Sequence, residues 1–432
     1  MSILYLFIFL IVVILLIKDF DRTIIYYAPF KLVLHSGIRL YDASFAINLD
    51  MAISFAALIL FILKASEYRS THLPKFIVVG GLVFCFGYFI HGMNPRFAFN
   101  VFFYEPITTI SFMYILFKVV RSEGQLSSLI KGFIIVGAIL IVDAVVDVIF
   151  NFNVITEIEK SQGGGRLWIS DNDTSRTGIA RTTSFMPHSI AMGTIAVFIW
   201  AIVVVVLFNF PRFIKVKKPM LYFILVGLPL CMLYANSRTT ILTAICFTPL
   251  FLKKNLFFSK MGFALLIAVI VLVIVNNSYF EWVYNSIFNE KTTTITGSSY
   301  DLREKQFEIA MFYFLQNPLT GKGVDFDVLK YANQFDAMGM ESEWFTLLML
   351  RGLVGVVTYL YLIITGLISF FKYNRIFWMF TFAWLVNITF SSQEGLSMFL
   401  YCIFILLCYK IHIFESNTLL KYSKRIKYGK RI

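Results

Sequence analysis

Residues 301–323 read DLREKQFEIAMFYFLQNPLTGKG and lie inside the longest polar interruption of the chain. This interruption extends from Asn276 to Glu343 and separates two strongly apolar segments. In hydrocarbon, each unsatisfied backbone group or charge costs several kcal/mol, so a polar segment of this length must remain outside a bilayer. The stretch therefore predicts a loop domain on one face of a membrane protein.

The loop is predicted to contain an amphipathic helix. Asp301 as N-cap and Glu304 three residues later are a helix start signal, and Asn317-Pro318 ends the helix. Arg303 lies one turn before an apolar stripe and on the same side, so it should face a carboxylate of the protein or an anionic ligand. Gly321-Lys322-Gly323 follows as a flexible turn. The stripe consists of Phe307, Ala310, Met311 and Phe314.

Composition extends the membrane prediction to the whole chain. Hydrophobic residues make up 59% and charged residues 15% of the 432 residues, and the mean hydropathy is +0.77. Apolar segments near the ~20 residues needed to cross a bilayer recur throughout. The predicted fold class is an all-α polytopic integral membrane protein with about twelve transmembrane helices. The predicted spans are 3–17, 46–63, 76–91, 98–118, 132–150, 189–209, 219–236, 239–252, 261–276, 345–371, 376–390 and 396–413.

These spans divide the chain into four regions. Residues 1–276 hold the first nine spans and an outer loop near 151–188. Residues 277–344 form the large outer loop between the ninth and tenth spans. Residues 345–413 hold the last three spans, and residues 414–432 form a basic tail.

The basic residues predict the orientation. The short connections around Lys64, Lys118 and Arg212, together with two later connections and the basic tail, hold more than half of the 38 Lys and Arg residues. All of them fall on one face if the spans are counted correctly, and that face is the cytoplasmic one. Both termini are therefore predicted inside, and residues 18–45 are predicted on the outer face with the large loop.

A set of basic side chains nevertheless falls on the predicted outer face. Guanidinium groups pair bidentately with phosphate oxygens, so this set suits an anionic lipid headgroup or a pyrophosphate. The alternative is anchoring to ordinary phospholipid headgroups, for which lysine serves as well. The set includes Arg166, Arg176, Arg181, Arg238, Arg303 and Lys322.

The charged residues within or between predicted spans include Arg238, Asp143 and Asp147. Arg238 lies in a tight turn between two apolar segments, where charges are rare and usually functional, although its side chain could instead snorkel to the interface. Asp143 and Asp147 are four residues apart on one face of the fifth span. They either line a cavity or pair with basic residues such as Arg96 or Arg351.

Four short elements occur in order between residues 180 and 355. Together they resemble the O-antigen polymerase and ligase superfamily, membrane glycosyltransferases of the GT-C type. Glu341 occupies the position where ligases have a histidine, which favours a polymerase, and Ser184 occupies the position of a usual glycine. The elements are Arg181 with Ser184-Phe185-Met186-Pro187-His188, Ala235-Asn236-Ser237-Arg238-Thr239-Thr240, Arg303 with Asn317-Pro318-Leu319-Thr320-Gly321-Lys322-Gly323, and Glu341 to Gly355.

The resemblance implies a Wzy-type O-antigen polymerase of the bacterial inner membrane with a periplasmic active site. Such an enzyme joins polyprenyl-diphosphate-linked oligosaccharide repeat units, which serve as donor and acceptor, and releases polyprenyl diphosphate without a metal or other cofactor. Membrane lipids, a chain-length regulator and a flippase of the same pathway are the expected partners, and nucleic acid is not. The alternatives are an O-antigen ligase that transfers glycan to lipid A-core and, from another class, a flippase or transporter. The chain shows no internal repeat of the transporter kind.

The resemblance and the chemistry together imply the site. Arg238 and Arg303 are expected to be catalytic by stabilising the leaving pyrophosphate, and Glu341 by accepting a proton from the attacking hydroxyl. Glu343 either contacts substrate or caps the helix predicted near Trp344. The other predicted substrate-binding residues are Arg166, Arg176, Arg181, His188 and Lys322. Three D-x-D spacings, at 19–21, 171–173 and 325–327, are predicted to be turns or membrane-edge pairs and not metal sites.

Overall fold

The computed structural model describes residues 2–33, 39–42, 46–68, 106–150, 182–184, 186, 189–235, 237–247, 300–323, 326, 340–371, 375–392 and 396–429. These residues contain α1 (Ser2–Lys18), α2 (Phe20–Phe30), α3 (Leu49–Leu63), α4 (Phe112–Val119), α5 (Glu123–Phe150), α6 (Ser189–Asn209), α7 (Lys218–Tyr234), α8 (Arg238–Phe247), α9 (Tyr300–Gln316), α10 (Glu343–Phe371), α11 (Arg375–Phe390) and α12 (Leu396–Gly429). Every helix except α2 and α9 overlaps a predicted span.

Four segments are long and apolar enough to cross a membrane: Glu123–Phe150, Ser189–Asn209, Glu343–Ile368 and Leu396–Glu415. The other apolar helices in the described part of the chain are shorter. The helical class predicted from composition is thus confirmed, whereas the number of spans stays a prediction. The predicted spans at 76–91 and 261–276 lie outside the described residues.

Helix α6 lies at the centre of the helix bundle. It contacts α5, α7 and α8, and nearly all of its side chains from Ser189 to Val206 are buried. A helix that is apolar on all sides, as α6 is, belongs in the interior of the bundle. On one side the ring of Phe198 contacts the rings of Phe247 in α8 and Phe380 in α11. These contacts bring α8 and α11 together on one flank of α6.

Helix α2 lies in the segment 18–45, which the sequence predicts to be an outer loop. The Asp19 carboxylate caps the helix by accepting a hydrogen bond from a backbone N–H three residues later. Asp21 accepts hydrogen bonds from Tyr68 (2.5 Å) and Arg121 (2.8 Å). Burial, and then the contact with Asp21, raises the pKa of the Tyr68 phenol. The start of α2 therefore lies at the same end of the bundle as the connections after α3 and α4.

This placement bears on two predictions, the face on which residues 18–45 lie and the position of the amino terminus. The turn at 18–21 shares an end of the bundle with Arg121, whereas the sequence places the two on opposite faces. Helix α1 has 17 residues and therefore extends about 25 Å away from that turn, so the amino terminus lies at the far end. Arg212, near both Glu123 and Glu415, keeps this part of α12 at the Arg121 end. The amino-terminal end of α1 and Glu415 thus lie at opposite ends of the bundle, whereas the cytoplasmic location of both termini stays a prediction. The hydropathy pattern did not predict α2, because the helix has only eleven residues and two of them are charged.

A short hairpin follows α2 and is the exception to the all-α prediction. Strand β1 (Arg39–Asp42) pairs antiparallel with β2 (Ala46–Asn48), and Arg39 lies opposite Asn48. The Asn48 side chain then accepts a hydrogen bond from the Met51 N–H and caps α3. The hairpin thus reverses the chain between α2 and α3.

A buried ion pair joins the end of α2 to the start of α3. The Lys31 ammonium lies 2.5 Å from one oxygen of Asp50, and the Tyr27 hydroxyl donates to the other at 2.7 Å. The ammonium also lies 5.2 Å and 5.7 Å from the ring centres of Phe112 and Phe399. Charges inside a membrane protein are tolerated when they are paired in this way. The pair fixes α2 and α3 against α4 and α12.

Helix α10 is bent sharply at Gly352, where φ is 56° and ψ is −148°. We call residues 343–351 α10a and residues 353–371 α10b. The Tyr359 hydroxyl donates a hydrogen bond of 2.7 Å to Glu343. In a straight helix these residues would be about 24 Å apart, so the contact requires α10a to fold back toward α10b. The predicted span over 345–371 therefore contains a sharp bend at Gly352.

Candidate functional site

The polar loop is attached to the bundle through its glycines. Gly321 and Gly352 have positive φ values of 69° and 56°, and a Cβ on either would lie within 2.6 Å of backbone atoms of the other segment. Residues 318–323 and 349–354 can therefore meet backbone to backbone. They are joined by four N–H···O bonds, from Lys322 to Met349, Gly323 to Leu350, Leu353 to Pro318 and Val354 to Leu319. The prediction of a flexible turn at Gly321-Lys322-Gly323 is wrong, because this junction holds it.

Helix α9 ends at the predicted position but begins at Tyr300, so Asp301 lies inside the helix and is not its N-cap. Its buried face also differs from the predicted stripe. Ile309, Ala310 and Tyr313 form a cluster with Met349 of α10a, whereas Phe307 is 48% exposed. The helix is rotated because the wholly buried Gln306 accepts a hydrogen bond from the Glu341 N–H at 3.3 Å. A polar contact thus decides which side of α9 faces the bundle.

Arg303, Glu341 and Phe390 meet beside the start of α9. The guanidinium of Arg303 lies 3.5 Å from the Glu341 carboxylate, and both side chains are about one third exposed. It also lies 4.7 Å from the centre of the Phe390 ring. A loose, partly exposed ion pair contributes at most about 1 kcal/mol, so either partner can exchange it for a ligand at small cost. The sequence predicted that Arg303 faces either a carboxylate of the protein or an anionic ligand. In the structure it contacts a carboxylate and is also accessible to a ligand.

The turn that contains Arg238 reaches the same place. The Thr239 hydroxyl donates to the Phe390 carbonyl at 3.0 Å, and the Ser237 hydroxyl accepts from the Thr240 N–H at the start of α8. Arg238 is the first residue of α8 and is partly buried. Phe390 is thus contacted through its carbonyl by the turn that contains Arg238 and through its ring by Arg303.

Three helix amino termini surround the end of α11. Arg238 begins α8, Arg303 lies in the first turn of α9, and Trp344 at the start of α10a donates its indole N–H to Thr389 at 3.2 Å. Helix amino termini carry partial positive charge and unpaired N–H groups, which attract anions. The Arg303 guanidinium and these helix starts, one of which carries Arg238, make this end of α11 suited to an anion.

Glu343 does not take part in an open site. Its side chain is wholly buried, and its carboxylate accepts the Tyr359 hydrogen bond. The substrate-binding and capping roles predicted for Glu343 stay predictions, and the structure shows its carboxylate in contact with Tyr359 of α10b. This contact holds the bend of α10. Glu341, two residues earlier, keeps the accessible position.

Asp143 and Asp147 hold the segment before α6. The Ser184 hydroxyl donates to Asp143 at 2.7 Å. Asp147 accepts from the Thr182 hydroxyl and, at 3.1 Å and 3.4 Å, from the N–H groups of Thr183 and Ser184. Ser184 has a φ of 49°, a conformation that glycine adopts without strain. This explains why a glycine would suit the position, and the serine adds a bond to Asp143.

Of the remaining predicted site residues, the structure describes Lys322, which lies away from the Arg303–Glu341 pair. The Lys322 ammonium lies 6.0 Å from the ring of Tyr313, which is ten residues and about 15 Å along α9 from Arg303. Lys322 thus belongs to the glycine junction. Four predicted residues lie outside the described residues: Arg166, Arg176, Arg181 and His188.

Sequence reasoning missed Phe390, Trp344 and Gln306. The first two carried a usable signal, since aromatic residues at the ends of apolar segments often mark the membrane interface. Gln306 carried none, because nothing local shows that it pairs with a backbone group 35 residues later.

Comparison with known proteins leaves the family open. No protein-family model matches the chain, and no curated protein matches it significantly in sequence. Among the described residues, no group of three or more His, Cys, Asp and Glu side chains could hold a metal ion. The assignment of function therefore depends on the four sequence elements and on the geometry around Phe390.

Proposed function

We propose that the protein is a membrane glycosyltransferase that joins lipid-linked oligosaccharide repeat units, as an O-antigen polymerase does. The observation that carries the proposal is the position of the Arg303 guanidinium against Phe390, next to the turn that begins α8 at Arg238. A donor activated by polyprenyl diphosphate leaves behind a multiply charged pyrophosphate. Preorganised positive groups in a site with little water are the main requirement for stabilising that leaving group.

Arg303 is the proposed clamp for the pyrophosphate. Its bond to Glu341 is loose and about one third of each side chain is exposed, so a phosphate can replace the carboxylate as the partner of the guanidinium. During this exchange of partners, the Phe390 ring keeps the Arg303 guanidinium in place by a cation–π contact. Arg238, at the start of α8, supplies the second guanidinium.

Glu341 is the proposed general base, released from Arg303 when the donor binds. The acceptor hydroxyl attacks the anomeric carbon of the donor sugar, and its proton passes to the Glu341 carboxylate. The bond from that carbon to the diphosphate oxygen breaks, and its electron pair leaves with polyprenyl diphosphate. In this scheme the ion pair between Arg303 and Glu341 is the resting state of the site.

The test is an assay of purified protein with a synthetic lipid-linked repeat unit. We expect Glu341→Gln to bind the donor and to lose most turnover, because the amide keeps the shape of the side chain but cannot accept the proton. Lys305→Ala, on the exposed side of the same loop helix, is the matched control and should keep full activity. Full activity of Glu341→Gln would remove the proposed base.

The class of reaction is decided in cells. Lipopolysaccharide from a strain without the protein should lose its ladder while one repeat unit stays attached to lipid A-core. Loss of all O-antigen would instead indicate a ligase. Accumulation of lipid-linked repeat units on the cytoplasmic face would indicate a flippase or transporter.

A further inference from the structure

The outward face of α9 changes character along the helix axis. In its first turns this face exposes Glu304, Lys305 and Glu308. One to three turns later the same side exposes Phe312 (56%), Leu315 (67%) and, just past the helix end, Leu319 (66%). From Glu304 to Leu315 is about 16 Å. On this face the charged residues therefore come first and the apolar ones follow, whereas the exposed Phe307 lies on another side, against Phe345.

The apolar end of α9 continues into an exposed apolar stripe on α10b. Val354 donates its N–H to the Leu319 carbonyl at 3.1 Å, and Leu353 donates to the Pro318 carbonyl at 2.9 Å. From that junction onward, α10b exposes large side chains at a spacing of three or four residues along one face. These residues are Leu353, Val357, Leu360, Ile364 and Ile368.

The stripe on α10b is the side that a spanning helix turns toward lipid. It lies within the segment Glu343–Ile368, which is long and apolar enough to cross a membrane. A large exposed apolar surface is costly in water, and the four backbone bonds of the glycine junction prevent α9 from moving away from this helix. The exposed side chains of α9 must therefore contact the same medium, lipid or water, as the adjacent end of α10b.

We propose that the carboxyl-terminal half of α9 is immersed in the bilayer, where Phe312, Leu315 and Leu319 contact lipid acyl chains. The helix enters the membrane at a tilt, with its charged first turns in water. A helix whose apolar side chains insert below the headgroups is a known way of lying in a membrane interface. The polar loop is thus not a domain held clear of the membrane, and the Arg303–Glu341 pair lies at the level of the lipid headgroups.

The test uses nitroxide spin labels on the full chain in vesicles of phosphatidylethanolamine and phosphatidylglycerol. Single cysteines are introduced as Phe312→Cys, Leu315→Cys and Leu319→Cys after the native cysteines are replaced by alanine. Glu304→Cys and Glu308→Cys are the aqueous controls, and Val357→Cys is the lipid control. We expect labels at 312, 315 and 319 to collide with oxygen severalfold more often than with a water-soluble nickel complex, as at 357, and the ratio to reverse at 304 and 308.

Two results would overturn the proposal. Nickel accessibility at 315 and 319 equal to that at 304 would place the whole helix in water. Protection of 315 and 319 from both reagents would show that a protein surface, from a partner or a second copy, covers the stripe.

A second measurement does not depend on cysteine replacement. The chain has six native tryptophans, so the fluorescence of the parent protein is subtracted. The additional fluorescence of Leu315→Trp in vesicles with brominated acyl chains should be quenched more strongly than that of Glu308→Trp. Equal quenching of the two variants would contradict immersion. Neither readout uses a substrate, so the result is independent of the proposed glycosyltransferase activity.

Discussion

The protein contains two ion pairs with opposite properties. Lys31 and Asp50 are 2.5 Å apart, and their side chains are 8% and 9% exposed. Arg303 and Glu341 are 3.5 Å apart, and their side chains are 35% and 32% exposed. A hydroxyl and two aromatic rings complete the first pair, whereas water reaches the second.

The difference shows which charges hold the fold and which can serve chemistry. A buried charge that loses its partner cannot be solvated, so Lys31 and Asp50 are bound to each other. A partly exposed pair costs little to separate, so Arg303 and Glu341 can each turn to a ligand. The following predictions test that division, from the largest expected effect to the smallest.

Breaking the buried pair of Lys31 and Asp50 should cause the largest loss of stability. Asp50→Asn leaves the Lys31 ammonium without a counter-charge, and we expect a loss of about 3–5 kcal/mol. The measurement is the temperature at which the detergent-solubilised protein loses its monodisperse peak in size-exclusion chromatography. Lys31→Met combined with Asp50→Leu removes both charges and should recover most of the loss. An Asp50→Asn protein as stable as the parent would contradict the structural role of the pair.

Breaking the exposed pair on the arginine side should affect turnover and not folding. We expect Arg303→Ala to lower turnover by about 10²–10³-fold, the range found when one donor to a developing anion is removed. Arg303→Lys should recover little, because an ammonium cannot form the two-pronged contact. The assay with the lipid-linked repeat unit measures turnover, and the Lys305→Ala protein again serves as control. Arg238→Ala and Arg238→Lys should behave in the same way, and normal turnover in both alanine variants would remove the arginines from the site.

Two glutamates in neighbouring positions sharpen the comparison. Tyr359→Phe removes the hydrogen bond to the buried Glu343, which should cost about 1–3 kcal/mol because the carboxylate is left without that donor. Glu341→Gln, two residues away and partly exposed, should leave the unfolding temperature unchanged. Both variants are compared by thermal unfolding. Equal stability of Tyr359→Phe and the parent would show that the bend of α10 does not depend on Glu343.

The smallest effect concerns the coupling within the exposed pair. A double-mutant cycle of Arg303→Met and Glu341→Gln should give a coupling energy below about 1 kcal/mol in thermal or denaturant unfolding. A larger value would mean that the two residues form a structural pair like Lys31 and Asp50. It would then be hard for a donor to displace Glu341.

Much of the candidate site could be predicted from the sequence, and some could not. Arg238 stood out because a charge between two apolar segments is rare, Arg303 because it lies on the apolar side of the loop helix, and Glu341 because of the resemblance. The burial of Glu343 against Tyr359 was not predictable. Glu341 and Glu343 are both acidic residues at a helix start, and only the folding back of α10a decides that Glu343 meets Tyr359 while Glu341 meets Arg303.

The sequence by itself determined the helical membrane class and the approximate bounds of most helices, since apolar length and the start and stop signals are local properties. The tertiary structure alone decided the path of α2, the buried face of α9, the bend at Gly352 and the partner of each charge. Each of these depends on contacts between distant segments, such as Asp21 with Arg121 or Gln306 with Glu341. Local hydrophobicity predicts whether a side chain is buried or exposed. The energy of a buried polar group depends on its hydrogen-bonding partner, and that partner is brought close only when the chain folds.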